Sequence, residues 1–237
     1  MSFLETQWKT IVGVVVLLLV VGLGIVAKTT MNVSAEKKAQ ENFFLIEKKY
    51  SDYKTKKAAP AEVKDPKAKT PAVAPDLSGE LASVKKDFEA FLATDSATKA
   101  GQMAALYYAE ILIDENKKDA ALAALQKAQN NDSGLVNTLV QQQLGQVLAD
   151  LDKCADAITV WQKVVDRKQA AFLHNDVKIQ QALCYQKTND LKRAEEILTN
   201  IANQKPDGKN ETFESSSSVK EAAKYLRLIQ FKKVSGT

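Results

Sequence analysis

Reactive side chains are scarce in this sequence. A single histidine among 237 residues leaves no histidine relay and no histidine-rich metal site. Two cysteines are too few for a disulfide-built scaffold. Nine glycines and five prolines exclude a collagen-like chain. No G-x-x-x-x-G-K-[ST], G-x-G-x-x-G, G-x-S-x-G or H-E-x-x-H occurs. Residues 77–237 carry 21 basic and 21 acidic side chains, so they have no excess positive charge to neutralise phosphates, which argues against nucleic acid as a partner. The composition is otherwise ordinary, 45% hydrophobic and 26% charged, and its distribution carries the information. These absences set the expectation of a protein that is not an enzyme and takes no cofactor or metal.

From Thr10 to Ala27 the chain reads TIVGVVVLLLVVGLGIVA, without one charge. As a helix this run is roughly 27 Å long, close to a bilayer core of ~30 Å. Lys9 and Lys28 snorkel to its two faces, and Trp8 sits where an interfacial aromatic belongs. The expectation is a transmembrane helix over residues 10–27 behind a short tail, 1–9. The rival is a cleaved signal peptide, with Val33-Ser34-Ala35 as a small-residue cleavage site. The length of the apolar run, Lys28 behind it and Glu5 before it favour an uncleaved anchor. Counted literally, the lysines mildly favour a cytoplasmic C-terminal domain.

Residues 28–57 read as a juxtamembrane stalk helix. Phe43, Phe44, Ile46, Tyr50 and Tyr53 give it an aromatic stripe near helical spacing. The stripe packs either on the folded domain or on a copy of itself; the sharper alternative is a docking helix for a membrane partner. Residues 58–76 hold four of the five prolines and predict an extended spacer. The whole formal charge of +4 falls in residues 28–76.

Beyond the spacer the chain repeats itself. ALYYAEILIDENKKDAALAALQKA (105–128), QQQLGQVLADLDKCADAITVWQKV (141–164) and KIQQALCYQKTNDLKRAEEILTNI (178–201) are offset by 36 and then 37 residues. In each, a small residue (Ala109, Gly145, Ala182) precedes Leu112, Leu148 or Tyr185 by three positions. An alanine follows the small residue after twelve (Ala121, Ala157, Ala194), and a large apolar residue four later (Leu125, Trp161, Leu198). Small residues facing each other let two antiparallel helices approach closely, and the large residue fills the groove between hairpins. The polar segments DENKKD, DLDKC and KTNDLK are the turns, and Pro206 closes the third copy. LASVKKDFEAFLATD (81–95) looks like the end of a degenerate earlier repeat. VKEAAKYLRLIQF (219–231) looks like a capping helix, with Ser215–Ser218 as loop and N-cap.

This pattern resembles the tetratricopeptide repeat, with copies two or three residues longer than usual and without the leading Trp. The fold class expected is therefore all-α: a transmembrane helix, a stalk, and a tetratricopeptide-like solenoid over residues 77–237, its core repeats at about 102–206. The layout, with DFEAFLATDSATKAGQMAALYYAEIL, is similar to the YfgM-like family of ancillary Sec translocon subunits. That resemblance implies a bacterial inner-membrane protein with its repeats in the periplasm, against the lysine count. It implies an accessory or chaperone-like scaffold whose partners are translocon or envelope components and client polypeptides. The alternative is a signal-released periplasmic protein acting in cell division or envelope assembly. In such solenoids the first helices line a concave groove, which here implies Glu110, Gln142, Gln146, Asp150, Ile179 and Gln186 as partner-facing residues.

Three further expectations concern single side chains. His174, beside Asn175 and Asp176, is a turn or cap residue. Asp150/Asp152 and Asp114/Glu115 belong to turns, where aspartate caps. Cys154 and Cys184 are two buried thiols, with a disulfide as the rival should the domain lie in an oxidising compartment.

Overall fold

The computed structural model describes residues 3–59, 76–130, 132–204 and 213–235, without side chains at 3–11, 24–28, 213–216 and 234–235. The spacer at 58–76, apart from its ends, and Pro206 lie outside them. The elements are α1 (Phe3–Ala58), α2 (Ser78–Asp95), α3 (Lys99–Asp114), α4 (Lys118–Ala128), α5 (Leu135–Asp150), α6 (Cys154–Val165), a 3₁₀ stretch (Lys168–Leu173), α7 (His174–Lys187), α8 (Leu191–Ala202) and α9 (Phe213–Ser235). The described residues contain no strand. The pairs α3/α4, α5/α6 and α7/α8 are the three hairpins expected from the repeats, and they stack in chain order into a solenoid.

Each first helix ends in the same way. Asn116, Asp152 and Asn189 are the non-glycine residues with positive φ among those described, at 60°, 63° and 64°. They recur at the repeat offsets. The next amide donates back five residues, Lys117 to the Leu112 carbonyl (2.7 Å), Lys153 to Leu148 (2.9 Å) and Asp190 to Tyr185 (2.8 Å). The left-handed residue itself donates to Ile113, Ala149 or Gln186. This is a Schellman closure built on Asn or Asp, the side chains that best tolerate a left-handed backbone after glycine. The large residue three past each small one thus also supplies the carbonyl that ends its helix.

The small residues do the packing expected of them. Ala109, Ala121, Ala157, Ala182 and Ala194 are fully buried, as are Leu125 and Leu198 opposite them. Gly145 is the tightest case. A Cβ there would stand 2.3 Å from Trp161 Nε1 and 2.5 Å from Cδ1. Trp161 is 1% exposed, and its indole N–H donates to the Gln142 carbonyl at 3.1 Å. The ring cannot retreat without losing both contact and hydrogen bond.

The stalk is not separate from the solenoid. No proline or glycine lies between Gly24 and Pro60, so nothing breaks the helix, and α1 is one element of 56 residues. Ala39, Phe43, Tyr50 and Tyr53 are buried. Phe43 stacks between Phe91 of α2 and Tyr107 of α3 (both 6.0 Å), and Tyr50 packs edge-on to Phe88 (5.8 Å). Glu36 accepts from the Lys99 and Ala100 amides at the start of α3 (3.0 and 3.3 Å), where a carboxylate complements the helix dipole. The C-terminal part of α1 is therefore the first helix of the degenerate repeat that ends in α2. Most of the stripe, Phe43, Tyr50 and Tyr53, is internal packing on the folded domain, while Phe44 stays exposed.

Three other expectations change. Among the described residues no helix is long and apolar enough to cross a membrane; the described side chains of the apolar run stop at 12–23, short of the span expected over 10–27. α9 starts at Phe213, and Ser215–Ser218 form its first turns rather than a loop, with Ser218 turned inward at 3% exposure. Cys154 and Cys184 are joined as a disulfide, not free thiols, because the first residue of α6 and the inner face of α7 bring their Cα atoms to 5.3 Å. His174 opens α7, and its Nε2 lies 3.0 Å from the Arg167 carbonyl.

Two measurements check these contacts. Gly145→Ala gains about 1 kcal/mol of helix propensity but overpacks the indole, which costs about 1–3 kcal/mol or more. The net outcome is a lower melting temperature, rescued when Trp161→Phe is added; unchanged melting would refute the close approach. Reducing the Cys154–Cys184 bond opens a long loop and lowers stability by about 3–4 kcal/mol in chemical denaturation, whereas Cys154→Ala/Cys184→Ala protein shows no response to reductant.

Candidate protein-binding groove

The first helices α3, α5 and α7 run side by side, with α1 flanking α3. Residues three or four apart on a helix share one face. Gln142, Gln146 and Asp150 accordingly line one face of α5, and the Gln146 amide donates to Asp150 Oδ1 at 3.0 Å. The two glutamines are half-buried and Asp150 is exposed. Gln186 is half-buried near the end of α7. Glu110 is exposed but engaged, since Lys54 of α1 pairs with it at 3.0 Å. Ile179 offers no partner surface. At 1% exposure it belongs to a core cluster with Ala182, Leu198 and Ile229, because this position of α7 turns toward α8 and α9.

One hollow on this side was not anticipated. A cleft of about 680 Å³ lies between α1 and α3, lined by Phe44, Glu47, Lys48, Ser51, Thr55 and Tyr107 among others. Phe44 is 61% exposed beside fully engaged Phe43. Adjacent residues on a helix point about 100° apart, and on α1 Phe43 takes the inward direction while Phe44 points out. That pairing was the available signal in the sequence. Tyr107 donates to Glu47 Oε1 at 3.1 Å, fixing the cleft wall. A second hollow of about 510 Å³ follows at the end of α1, between Lys54, Lys57 and Leu81 on one side and Glu110 and Asp114 on the other. Lys57 pairs with Asp114 at 3.6 Å.

Three tyrosines under this wall are held neutral. Burial raises the Tyr50 hydroxyl well above its ordinary pKa, and the neighbouring Glu110 carboxylate adds to it. Tyr107 is raised by burial and by its bond to Glu47. Tyr108 is raised by burial and by donating to Glu89 of α2. At the closed end, Glu115 receives Lys117 and Lys85 and is lowered by them. The face thus presents aromatic rings, amides and balanced charge, groups suited to an adaptable polypeptide contact. Among the described residues no cluster of His, Cys, Asp and Glu has the makings of a metal site.

Comparison with known proteins agrees with this architecture. A family model described as a tetratricopeptide repeat-like domain matches residues 1–180, from the apolar run into α7. No curated protein matches. Among solved structures, a putative kinesin light chain of Podosopora anserina with nearly identical TPR-like repeats aligns at a TM-score of 0.50 and 14% identity, over 68% of this chain and 91% of that one. The protein MamA aligns at 0.45 and 17% identity, over 67% and 93%. At 14% identity the likeness to the Podosopora anserina protein concerns the fold alone.

The tyrosines make a pH prediction. Unfolded tyrosine ionises near 10, whereas these three keep their protons to higher pH. Their contribution is complete below about pH 10 and is lost as pH rises beyond it. Alkaline titration of the melting temperature should fall from that point, and Tyr108→Phe should flatten the fall. An alkaline slope identical in Tyr108→Phe would remove this tyrosine from the account.

Proposed function

The chain belongs to the tetratricopeptide repeat-like domain family, and on that premise we propose that it is a membrane-anchored scaffold that binds other proteins along the α1–α3–α5 face and has no enzymatic role. The observation that carries this proposal is the bare apolar end of the same helix that builds the groove. Between 12 and 23 every described large apolar side chain is exposed, Leu17 to Val20 at 61–64%. Among the described residues nothing covers so extended an apolar surface, and a bilayer would. α1 continues unbroken from that end into the solenoid. At 1.5 Å per residue about 17 Å of helix separates Lys28 from Ala39, the first buried stalk residue. The groove would be held near the membrane surface, where tethering raises its effective concentration for membrane-bound or emerging polypeptides.

The finer proposal is an accessory, chaperone-like role at the Sec translocon, with the repeats on the periplasmic side of a bacterial inner membrane. Its supports are the layout of anchor, stalk and repeats, and the Cys154–Cys184 bond, which suits an oxidising compartment. Release by a signal peptidase after Ala35 is the alternative; it would leave Glu36, which caps α3, and the aromatic stripe in place. N-terminal sequencing of the mature protein separates the two.

The test is photo-crosslinking in native membranes from a crosslinker placed at Phe44 or Gln146. Export-complex components should be captured from both positions and lost when the crosslinker sits at Gln162 on α6. If none rises above background, the export role falls while other captured proteins keep the scaffold. In sealed spheroplasts, external protease should digest the repeat domain; protection would place it in the cytoplasm.

A further inference from the structure

α9 carries a surface that the groove does not use. Its inner stripe, Ser218, Ala222 and Ile229, is buried against α7 and α8. Its outer face forms a hollow of about 630 Å³ lined by Lys220, Ala223, Lys224, Arg227, Leu228 and Phe231. Those residues fall in two rows, 220–224–228 and 223–227–231, each with the i, i+4 spacing of a packing ridge. Ala223 keeps the space between the rows open. Leu228 is 48% and Phe231 72% exposed. The lining contains three cations and no anion, and Lys220, Lys224 and Arg227 have no ion-pair partner among the described residues.

We propose that this outer face of α9 is the docking site for an acidic amphipathic helix of another protein. In a helical solenoid each inner helix is covered on both sides by the next, and the last helix ends the stack with one side open. A groove between two i, i+4 ridges is the shape another helix fills. Leu228 and Phe231 supply the apolar contact, and the cations select glutamates or aspartates flanking the partner's apolar stripe. A second copy of this chain is the poorer occupant. A two-fold contact would set the same basic face against itself. A bilayer is poorer too, because Arg227 and Lys224 interrupt the apolar line, whereas an interfacial helix buries a continuous one. The site is separate from the α1–α3 cleft, so it stands or falls independently of the scaffold proposal.

The test uses the full chain in phosphatidylcholine nanodiscs. The probe is a fluorescent synthetic peptide, an amphipathic helix with a leucine stripe flanked by glutamates; its twin carries glutamine at every glutamate. Fluorescence polarisation should show saturable binding of the acidic peptide, weakened by added salt. Lys224→Glu/Arg227→Glu should weaken it about tenfold or more, as should the glutamine twin. Ala223→Trp, which fills the groove and leaves the charge alone, should also weaken it. Lys224 and Arg227 are exposed and Ala223 is half-buried in the hollow's lining, and the variants should melt as the parent does, which excludes misfolding as the cause. No saturable binding, or binding indifferent to both variants, overturns the proposal. So does a blue shift of Leu228→Trp emission in phosphatidylglycerol discs relative to phosphatidylcholine discs, which would make the face a lipid contact. A dimer in sedimentation that the charge reversal dissolves would assign it to a second copy and overturn it likewise.

Discussion

Everything in this solenoid follows from how closely two antiparallel helices approach. The approach is set where a small side chain on a first helix meets a large one on the second, and Gly145 against Trp161 is its limit. Close approach alone would allow many angles between helices. The left-handed residue at each turn removes that freedom, because Asn116, Asp152 and Asn189 close their helices by the same pair of backbone bonds. Identical closures at near-identical spacing give each hairpin the same shape, and identical shapes stack.

The N-terminal end of the stack shows what happens when the repeat runs out. A terminal hairpin has an apolar side with no neighbour, which a solenoid must cover. Here α1 covers it with aromatic rings rather than small-to-large packing. Phe43, Tyr50 and Tyr53 fill the space against Phe88, Phe91 and Tyr107. The cleft beside Phe44 runs along α1, with Tyr107 of α3 as its other wall. Lysines on α1 meet acids of both neighbouring helices: Lys49 with Asp87 and Lys56 with Glu80 of α2, and Lys54 with Glu110 of α3. Exposed pairs of this kind each contribute little, up to about 1 kcal/mol, but together they fix the register of a helix that aromatic contacts alone would let slide.

The hairpins were legible because their signal is periodic and local. Ala109, Gly145 and Ala182 with their partners recur often enough that a chance match is excluded, and the turns between them are short. The capping helix was placed but begun too late, since a run of four serines reads as loop chemistry whereas tertiary contact at Ser218 holds it helical. The stalk was placed but not its role: a stripe of aromatics says that a helix is covered, never by what. The groove list shared that weakness. Residues carried over by analogy sit on the first helices α3, α5 and α7, yet Ile179 turns inward because the third hairpin meets α9 rather than another regular repeat. Cys154 and Cys184 stand thirty residues apart, so the sequence offered their disulfide only as a rival to free thiols; the start of α6 and the last turn of α7 bring them together.

The disulfide has a mechanical place in this arrangement. The apolar interior is divided: the first cluster runs from α1 to Val177 and Cys184, and the second holds Ile179 and Ala182 with α8 and α9. α7 is the shared wall, with alternate sides in each. A wall that belongs to two cores transmits displacement from one to the other only as far as it is itself held. The Cys154–Cys184 bond ties α7 to α6 near the turn, so the second cluster cannot part from the first without straining a covalent link. The C-terminal face on α9 and the cleft on α1 are thereby parts of one body, although no apolar contact runs directly between them.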